Sequence, residues 1–131
     1  MLILDENISG LEEEKLSRWR IRSRSIGVEL AENGTDDADL IPVLLSLPRP
    51  TFFTHDQDFW DQSLQHRAYC LVWLDTEESE QARFIRATLR HTDFNTHAKR
   101  LGKVIRVNPD DLTFYDSRHG KPKHATWLRA V

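Results

Sequence analysis

The chain has 131 residues, with 18 lysines and arginines, 21 aspartates and glutamates, and a formal net charge of −3. This length suits one domain with a single core, and we expect residues 1–131 to form it. No apolar run approaches the roughly 20 residues that cross a bilayer, and the first residues do not resemble a signal peptide. The single cysteine, Cys70, has no partner for an internal disulfide. These features exclude a disulfide scaffold and a helical membrane protein, and they favour a cytoplasmic location.

The first half of the chain alternates short apolar runs with amphipathic segments. "MLIL" predicts a buried strand, and "NISGLEEEKLSRWRI" predicts a helix whose glutamates lie near its start, where the helix dipole favours them. "TDDADLIPVLLSLP" predicts a helix capped within residues 35–37 and ended by Pro48. "TFFT" then predicts another strand, so this half has the pattern of repeated strand–helix units.

The second half continues the alternation and then changes character. "YCLVWLD" predicts a strand and "TEESEQARFIRATLRHTDF" predicts a helix. The remaining residues predict strand, turn at Asn108–Pro109, strand, turn at residues 119–122 and a last strand. We therefore expect an α/β fold: a three-layer α/β/α sandwich around a mostly parallel sheet, with right-handed crossovers. Residues 108–131 are expected to add an antiparallel hairpin.

Acidic residues follow the predicted strands where those strands end. Asp5 and Glu6 end the first strand, Asp56 and Asp58 follow "TFFT", and Asp37 begins a helix. Because ligands bind outside the carboxyl ends of parallel strands, we expect these side chains to converge on one edge of the sheet. Clustered carboxylates repel one another, and Mg²⁺ or Mn²⁺, which prefer oxygen ligands, would neutralise them. Such an ion polarises a phosphodiester and activates water.

Each acid also has a purely structural interpretation. Asp37 is suited to cap its helix, Asp58 to cap the segment "FWDQ", and Asp75 to flank the helix after the fourth predicted strand. The order of three motifs favours the metal site over these alternatives: "LDEN" at residues 4–7, "GTDDADLI" at residues 34–41 and "THDQDF" at residues 54–59.

In this order the motifs resemble those of PIN-like nucleases, specifically the short branch related to VapC-type toxins. The resemblance implies metal-dependent hydrolysis of RNA with Mg²⁺ or Mn²⁺, control by a cognate antitoxin protein, and in some cases a homodimer. It also implies the following metal-binding and catalytic side chains: Asp5, Glu6, Asp37, Thr54, Asp56 and Asp58. Within this set Thr54 orients a carboxylate or a water. The doublet Asp36–Asp37 leaves the middle acid open by one position, and the spacing to Gly34 favours Asp37.

Basic residues form two further candidate contacts for RNA or for a protein partner. Four arginines alternate along one segment and would share one face of an extended chain, where they could bind phosphates, receive an acidic antitoxin segment or form a solvated edge: Arg18, Arg20, Arg22 and Arg24. Lys121 and Lys123 lie in the predicted hairpin, where a simple turn is the alternative.

Two other functions remain open. The first is a PIN-like scaffold that binds nucleic acid or a protein without cleaving. The second is phosphoryl transfer to an aspartate, as in receiver domains. These also need a hydroxyl residue at the end of strand four and a lysine at the end of strand five. Here Asp75 ends the fourth predicted strand, and Lys103 begins the fifth.

Overall fold

A computed structural model describes residues 1–26 and 37–131, and of Asp37 and Ala38 it describes the backbone alone. The strands are β1 (Leu2–Leu4), β2 (Arg24–Ser25), β3 (Thr51–Thr54), β4 (Cys70–Leu74), β5 (Val104–Val107), β6 (Asp111–Tyr115) and β7 (Lys123–Thr126). The helices are α1 (Gly10–Arg18), α2 (Asp37–Leu45), α3 (Gln81–Arg90) and α4 (His97–Arg100), with short 3₁₀ turns at Gln57–Phe59, Gln62–Leu64 and Glu78–Glu80. Within the described ranges, no helix is long and apolar enough to cross a membrane.

The seven strands of the described residues form one sheet in the order β2-β1-β3-β4-β5-β6-β7. The first four pairings in this order, from β2 with β1 to β4 with β5, are parallel. The last two pairings, β5 with β6 and β6 with β7, are antiparallel. The predictions of an α/β fold, a mostly parallel sheet and an antiparallel C-terminal hairpin are therefore confirmed.

Apolar residues cover both faces of the central strands, as parallel sheets require. On one face, here called face A, Leu4 and Phe53 belong to an apolar cluster that also contains residues of α1 and α3. On the other, face B, Ile3 and Phe52 pack in a cluster with residues of α2. Cys70 is buried and unpaired, and burial raises the pKa of its thiol to about 12, so the thiol stays protonated.

The helices α1 and α3 pack against each other on face A. The step from β1 to β2 and the step from β4 to β5 run in opposite directions across the sheet. Helix α1 lies in the connection from β1 to β2, and α3 lies in the connection from β4 to β5. Because both helices lie on face A while the two connections run in opposite directions, the two crossovers have opposite hands. The prediction that all crossovers are right-handed, as about 98% are, is therefore wrong for one of them. One consequence is that the ends of α1 and α3 lie close together.

The arginine series does not form one extended face. Arg18 ends α1 and pairs with Glu14, at 3.2 Å between Nη2 and Oε1. Arg20 has a φ of 61°, in the left-handed region, and its N–H donates to the Ser17 carbonyl at 3.0 Å. This turn closes the helix, and the chain becomes extended only at Arg24–Ser25. The arginines would share one face only in an extended chain, and the helix instead continues to the first of them, Arg18.

Candidate functional site

The strand order reverses direction between β1 and β3, and such a switch point opens a crevice outside the carboxyl ends of the strands. Asp5 follows directly after β1, and the segment 55–58 follows directly after β3. The N–H of Asp5 donates to the Phe53 carbonyl at 2.9 Å, which fixes the two strand ends side by side. The fold therefore brings the first and third sequence motifs together at the expected edge.

The Asp5 carboxylate is held by two hydrogen bonds just beyond the carboxyl end of β1. Its Oδ2 accepts from the Thr54 hydroxyl at 2.6 Å, and its Oδ1 accepts from the Glu6 N–H at 2.7 Å. Asp5 is 9% exposed, and Thr54 is fully buried. Short hydrogen bonds to a carboxylate are the strong ones, so the orientation of Asp5 is fixed before any ligand binds.

Burial is the largest cause that shifts the pKa of Asp5, and it raises that pKa above the ordinary 3.8. The hydrogen bonds from Thr54 and from the Glu6 N–H oppose the shift. The negative charges of Glu6 and Asp56 raise the pKa further, which shows that these carboxylates lie close enough to repel that of Asp5. A positive charge placed among them would relieve this repulsion.

The Thr54 hydroxyl connects two of the predicted acids. It donates to Asp5 and accepts from the Asp56 N–H at 3.0 Å. Asp56 in turn caps the 3₁₀ turn at Gln57–Phe59, since its Oδ1 accepts from the Asp58 N–H at 2.9 Å. Asp58 is exposed within that turn. Asp58 does not cap the segment "FWDQ", as its sequence position suggested. Asp61 caps the next 3₁₀ turn, Gln62–Leu64, because it accepts from the Ser63 N–H at 2.9 Å.

Three further side chains shape this edge, those of Asn7, His55 and Asp75. Asn7 accepts from the His55 N–H at 3.2 Å, and His55 Nε2 lies 3.1 Å from the Thr76 carbonyl oxygen. Asp75 is bound by Arg106, whose Nη2 and Nε lie 2.6 and 3.1 Å from its Oδ2. Asn7 belongs to the "LDEN" motif, so the motif itself contained a signal for its role.

The predicted middle acid lies outside the side chains that the structure describes. Residues 27–36, with Gly34 and Asp36, lie outside the described part of the chain, and so does the side chain of Asp37, whose backbone opens α2. Within the described residues, no three histidine, cysteine, aspartate or glutamate side chains are grouped so as to hold one metal ion. The oxygens of Asp5, Glu6 and Asp56 nevertheless have the chemistry that Mg²⁺ prefers, and Mg²⁺ often uses only one or two carboxylates and keeps several waters.

The predicted basic contacts lie elsewhere on the molecule. Arg20, Arg22 and Arg24 line a cavity of 560 Å³ together with Met1 and Leu2, the first residues of the chain. This cavity is therefore at the amino end of β1, opposite the end that carries Asp5. In the hairpin, Lys123 pairs with Asp116 at 2.5 Å, and Lys121 is exposed in the turn.

No protein-family model, curated protein or solved structure matches this chain. The likeness to PIN-like nucleases thus stays a prediction that rests on the three motifs. The chemistry of the site has to be judged from its own residues.

Replacing the hydroxyl that connects the acids tests how the site is built. We expect Thr54→Val to lower the free energy of unfolding at pH 7 by about 1–2 kcal/mol, because the buried Asp5 oxygen loses its donor. The loss should shrink at pH 3, below the ordinary pKa of 3.8, because the raised pKa of Asp5 means that it is protonated there. Urea unfolding at the two pH values measures both effects. Thr113→Val, on a half-buried strand position, is the control, and an equal loss at both pH values would contradict the assignment.

Proposed function

We propose that the chain is a metal-dependent ribonuclease with a PIN-like, three-layer fold. The observation that supports this most is the Asp5 carboxylate, buried at the switch point and held by Thr54, with the charges of Glu6 and Asp56 beside it. Carboxyl groups whose pKa is raised by burial and by neighbouring like charges are typical of catalytic and cation-binding sites. Helices on both faces of the sheet fit the three-layer arrangement.

The proposed roles follow from the contacts. Asp5 is the fixed ligand, because two hydrogen bonds set its orientation. Thr54 is a positioning residue that holds Asp5 and the backbone of Asp56 in register. Asp56 and Glu6 supply further carboxylate oxygens at the same edge, and Asp37 is the proposed fourth acid. Bound Mg²⁺ or Mn²⁺ supplies Lewis-acid polarisation of the phosphodiester and a water of lowered pKa. A cognate antitoxin and a homodimer are part of the same proposal.

Metal binding and cleavage are tested separately. We expect Mg²⁺ or Mn²⁺ to raise the melting temperature of the wild type, because the ion binds only the folded chain. EDTA should reverse the shift and should stop cleavage of a labelled single-stranded RNA. Asp56→Asn should weaken both effects, whereas Asp93→Asn, an exposed position on another edge, should leave both unchanged. Cleavage that persists in EDTA would contradict the proposal.

A receiver-like function has one observation in its favour. The strand order 2-1-3-4-5 is shared with receiver domains, which also place an aspartate at the end of the third strand. Receiver domains need a lysine at the end of the fifth strand, whereas β5 is followed by Asn108. The cation within β5, Arg106, is paired with Asp75. Incubation with acetyl phosphate separates the two functions: a covalent phosphate on Asp56 would favour the receiver. A binding module without catalysis would show neither cleavage nor labelling.

A further inference from the structure

A second cleft lies between α3 and the C-terminal residues, on face A of the sheet. Its volume is 390 Å³, and the part of its lining that the structure describes contains four arginines, Arg83, Arg86, Arg90 and Arg129, and no aspartate or glutamate. A cleft with this concentration of one charge favours an anionic ligand, because the surrounding protein focuses the field of the cations.

The arginines of this cleft have few competing partners in the structure. Arg83 lies 3.5 Å from Glu80, in a pair that is partly exposed and long, and therefore weak. The Arg86 guanidinium lies over the ring of Trp19, 3.7 Å from its centre. Arg90 and Arg129 are exposed. The floor includes Trp127, which is half-buried and donates from Nε1 to the Asn108 carbonyl at 2.8 Å, so its ring is fixed in orientation.

The contact between Arg86 and Trp19 joins this cleft to the cavity at the amino end of β1. Trp19 follows directly after α1 and precedes Arg20, Arg22 and Arg24, which line that cavity. Among the described residues, the two cavities together present seven arginines, and Glu13 is the acid in their linings. We call the two linings together with Trp19 the basic track.

The basic track is separate from the carboxylates. Helix α3 begins on the side of the sheet where β4 ends and runs back towards the strand starts, so Arg90 lies near the edge opposite Asp5. The cavity at Met1 and Leu2 lies at that same opposite edge. A ligand in the track therefore does not depend on the metal site.

We infer that the basic track binds single-stranded RNA and anchors it away from the carboxylate site. Arginine side chains bind successive phosphates, and the fixed ring of Trp127 among them offers a flat surface for a base, a combination typical of single-strand binding. An acidic peptide would use the charges but not the ring. The choice of RNA rests on the proposed function, whereas the binding itself needs neither metal nor cleavage.

The test measures RNA binding with cleavage switched off. Fluorescence anisotropy of a labelled RNA of mixed sequence, about 20 nucleotides long to exceed the site size of a small single-strand binder, is followed in EDTA, with Asp5→Asn as the background so that no product forms. Arg90→Ala/Arg129→Ala removes two exposed charges from the track. Arg67→Ala/Arg118→Ala removes two exposed charges elsewhere and is the matched control. Thermal unfolding of each variant checks the fold.

We expect the track variant to bind at least about fivefold more weakly than the control at roughly 0.1 M salt. For single strands, the slope of log K against log salt is about −0.7 for each phosphate that the protein neutralises, so removing two arginines should make it shallower by about 1.4. Equal weakening in the two double variants would overturn the inference, as would stronger binding of a labelled oligoglutamate than of the RNA. If the basic track binds RNA as expected but the wild-type protein cleaves none, the RNA-binding inference would hold and the ribonuclease proposal would be wrong.

Discussion

Asp5→Asn should abolish metal-dependent cleavage of RNA and, at the same time, make the fold more stable at pH 7. Removing a group that only orients a metal ligand typically costs about 10–100-fold, so we expect the loss of a ligand itself to cost more than about a hundredfold. Stability should rise by about 1 kcal/mol, because the neutral amide escapes the burial and the repulsion from Glu6 and Asp56 that raise the pKa of Asp5.

The pH dependence of this effect has a defined sign. The folded-state pKa of Asp5 lies above its ordinary value of 3.8, so folding favours the protonated acid. The stability that the fold gains from the protonated Asp5 is fully present below the ordinary pKa of 3.8, and it is lost as the pH rises through the raised folded-state pKa. The stability gain of Asp5→Asn should therefore be largest at neutral pH and should vanish near pH 3.

Urea unfolding between pH 3 and pH 7, beside a cleavage assay, measures both parts. Asp110→Asn is the matched control, because Asp110 is exposed and undergoes the same chemical change. An inactive variant that is also less stable at pH 7 would mean that Asp5 serves mainly to hold the strand ends together. Full activity in the variant would contradict the nuclease assignment.

The second large effect concerns Arg100, a buried cation in α4 that is only 4% exposed. Its Nε donates to the Thr51 hydroxyl at 3.0 Å, and its Nη1 donates to the Phe94 carbonyl at 2.8 Å. We expect Arg100→Ala to lower the free energy of unfolding by about 3 kcal/mol, because it leaves a cavity and removes the donor from a buried carbonyl.

Arg100→Met separates packing from hydrogen bonding. Methionine fills much of the same volume without a buried charge, and burial already lowers the pKa of Arg100, which shows that its charge is held at a cost. We expect a loss of about 1 kcal/mol for Arg100→Met. Chemical denaturation of both variants, with Arg67→Ala as an exposed control, gives the comparison. An alanine variant as stable as the control would show that α4 does not depend on this side chain.

The strands and the acid edge were predictable because each depends on local pattern. "TFFT" and "YCLVWLD" are apolar on both faces, so their burial in a parallel sheet follows from composition alone. Asp5 and Asp56 follow strands directly, and parallel strands end at one edge. Their meeting therefore required no knowledge of distant contacts.

The parts that the sequence did not predict depend on contacts between distant segments. Arg86 meets Trp19 only because α1 and α3 share a face, and the usual hand of crossovers indicates otherwise. The ion pair of Asp75 with Arg106 joins positions 31 residues apart. The turn at Arg20 depends on a left-handed φ at an arginine, a conformation that local preference disfavours.

The hairpin ends the sheet with β7, whose outer edge has no further strand within the described chain. An open edge of this kind is a template on which other chains can add strands and aggregate. Lys121, Pro122 and Lys123 lie at its start, with Lys123 inside the strand. Charged side chains and a residue without an N–H are the usual means of blocking such addition. The same lysines that suggested an RNA contact thus also protect the sheet against growing into a fibre.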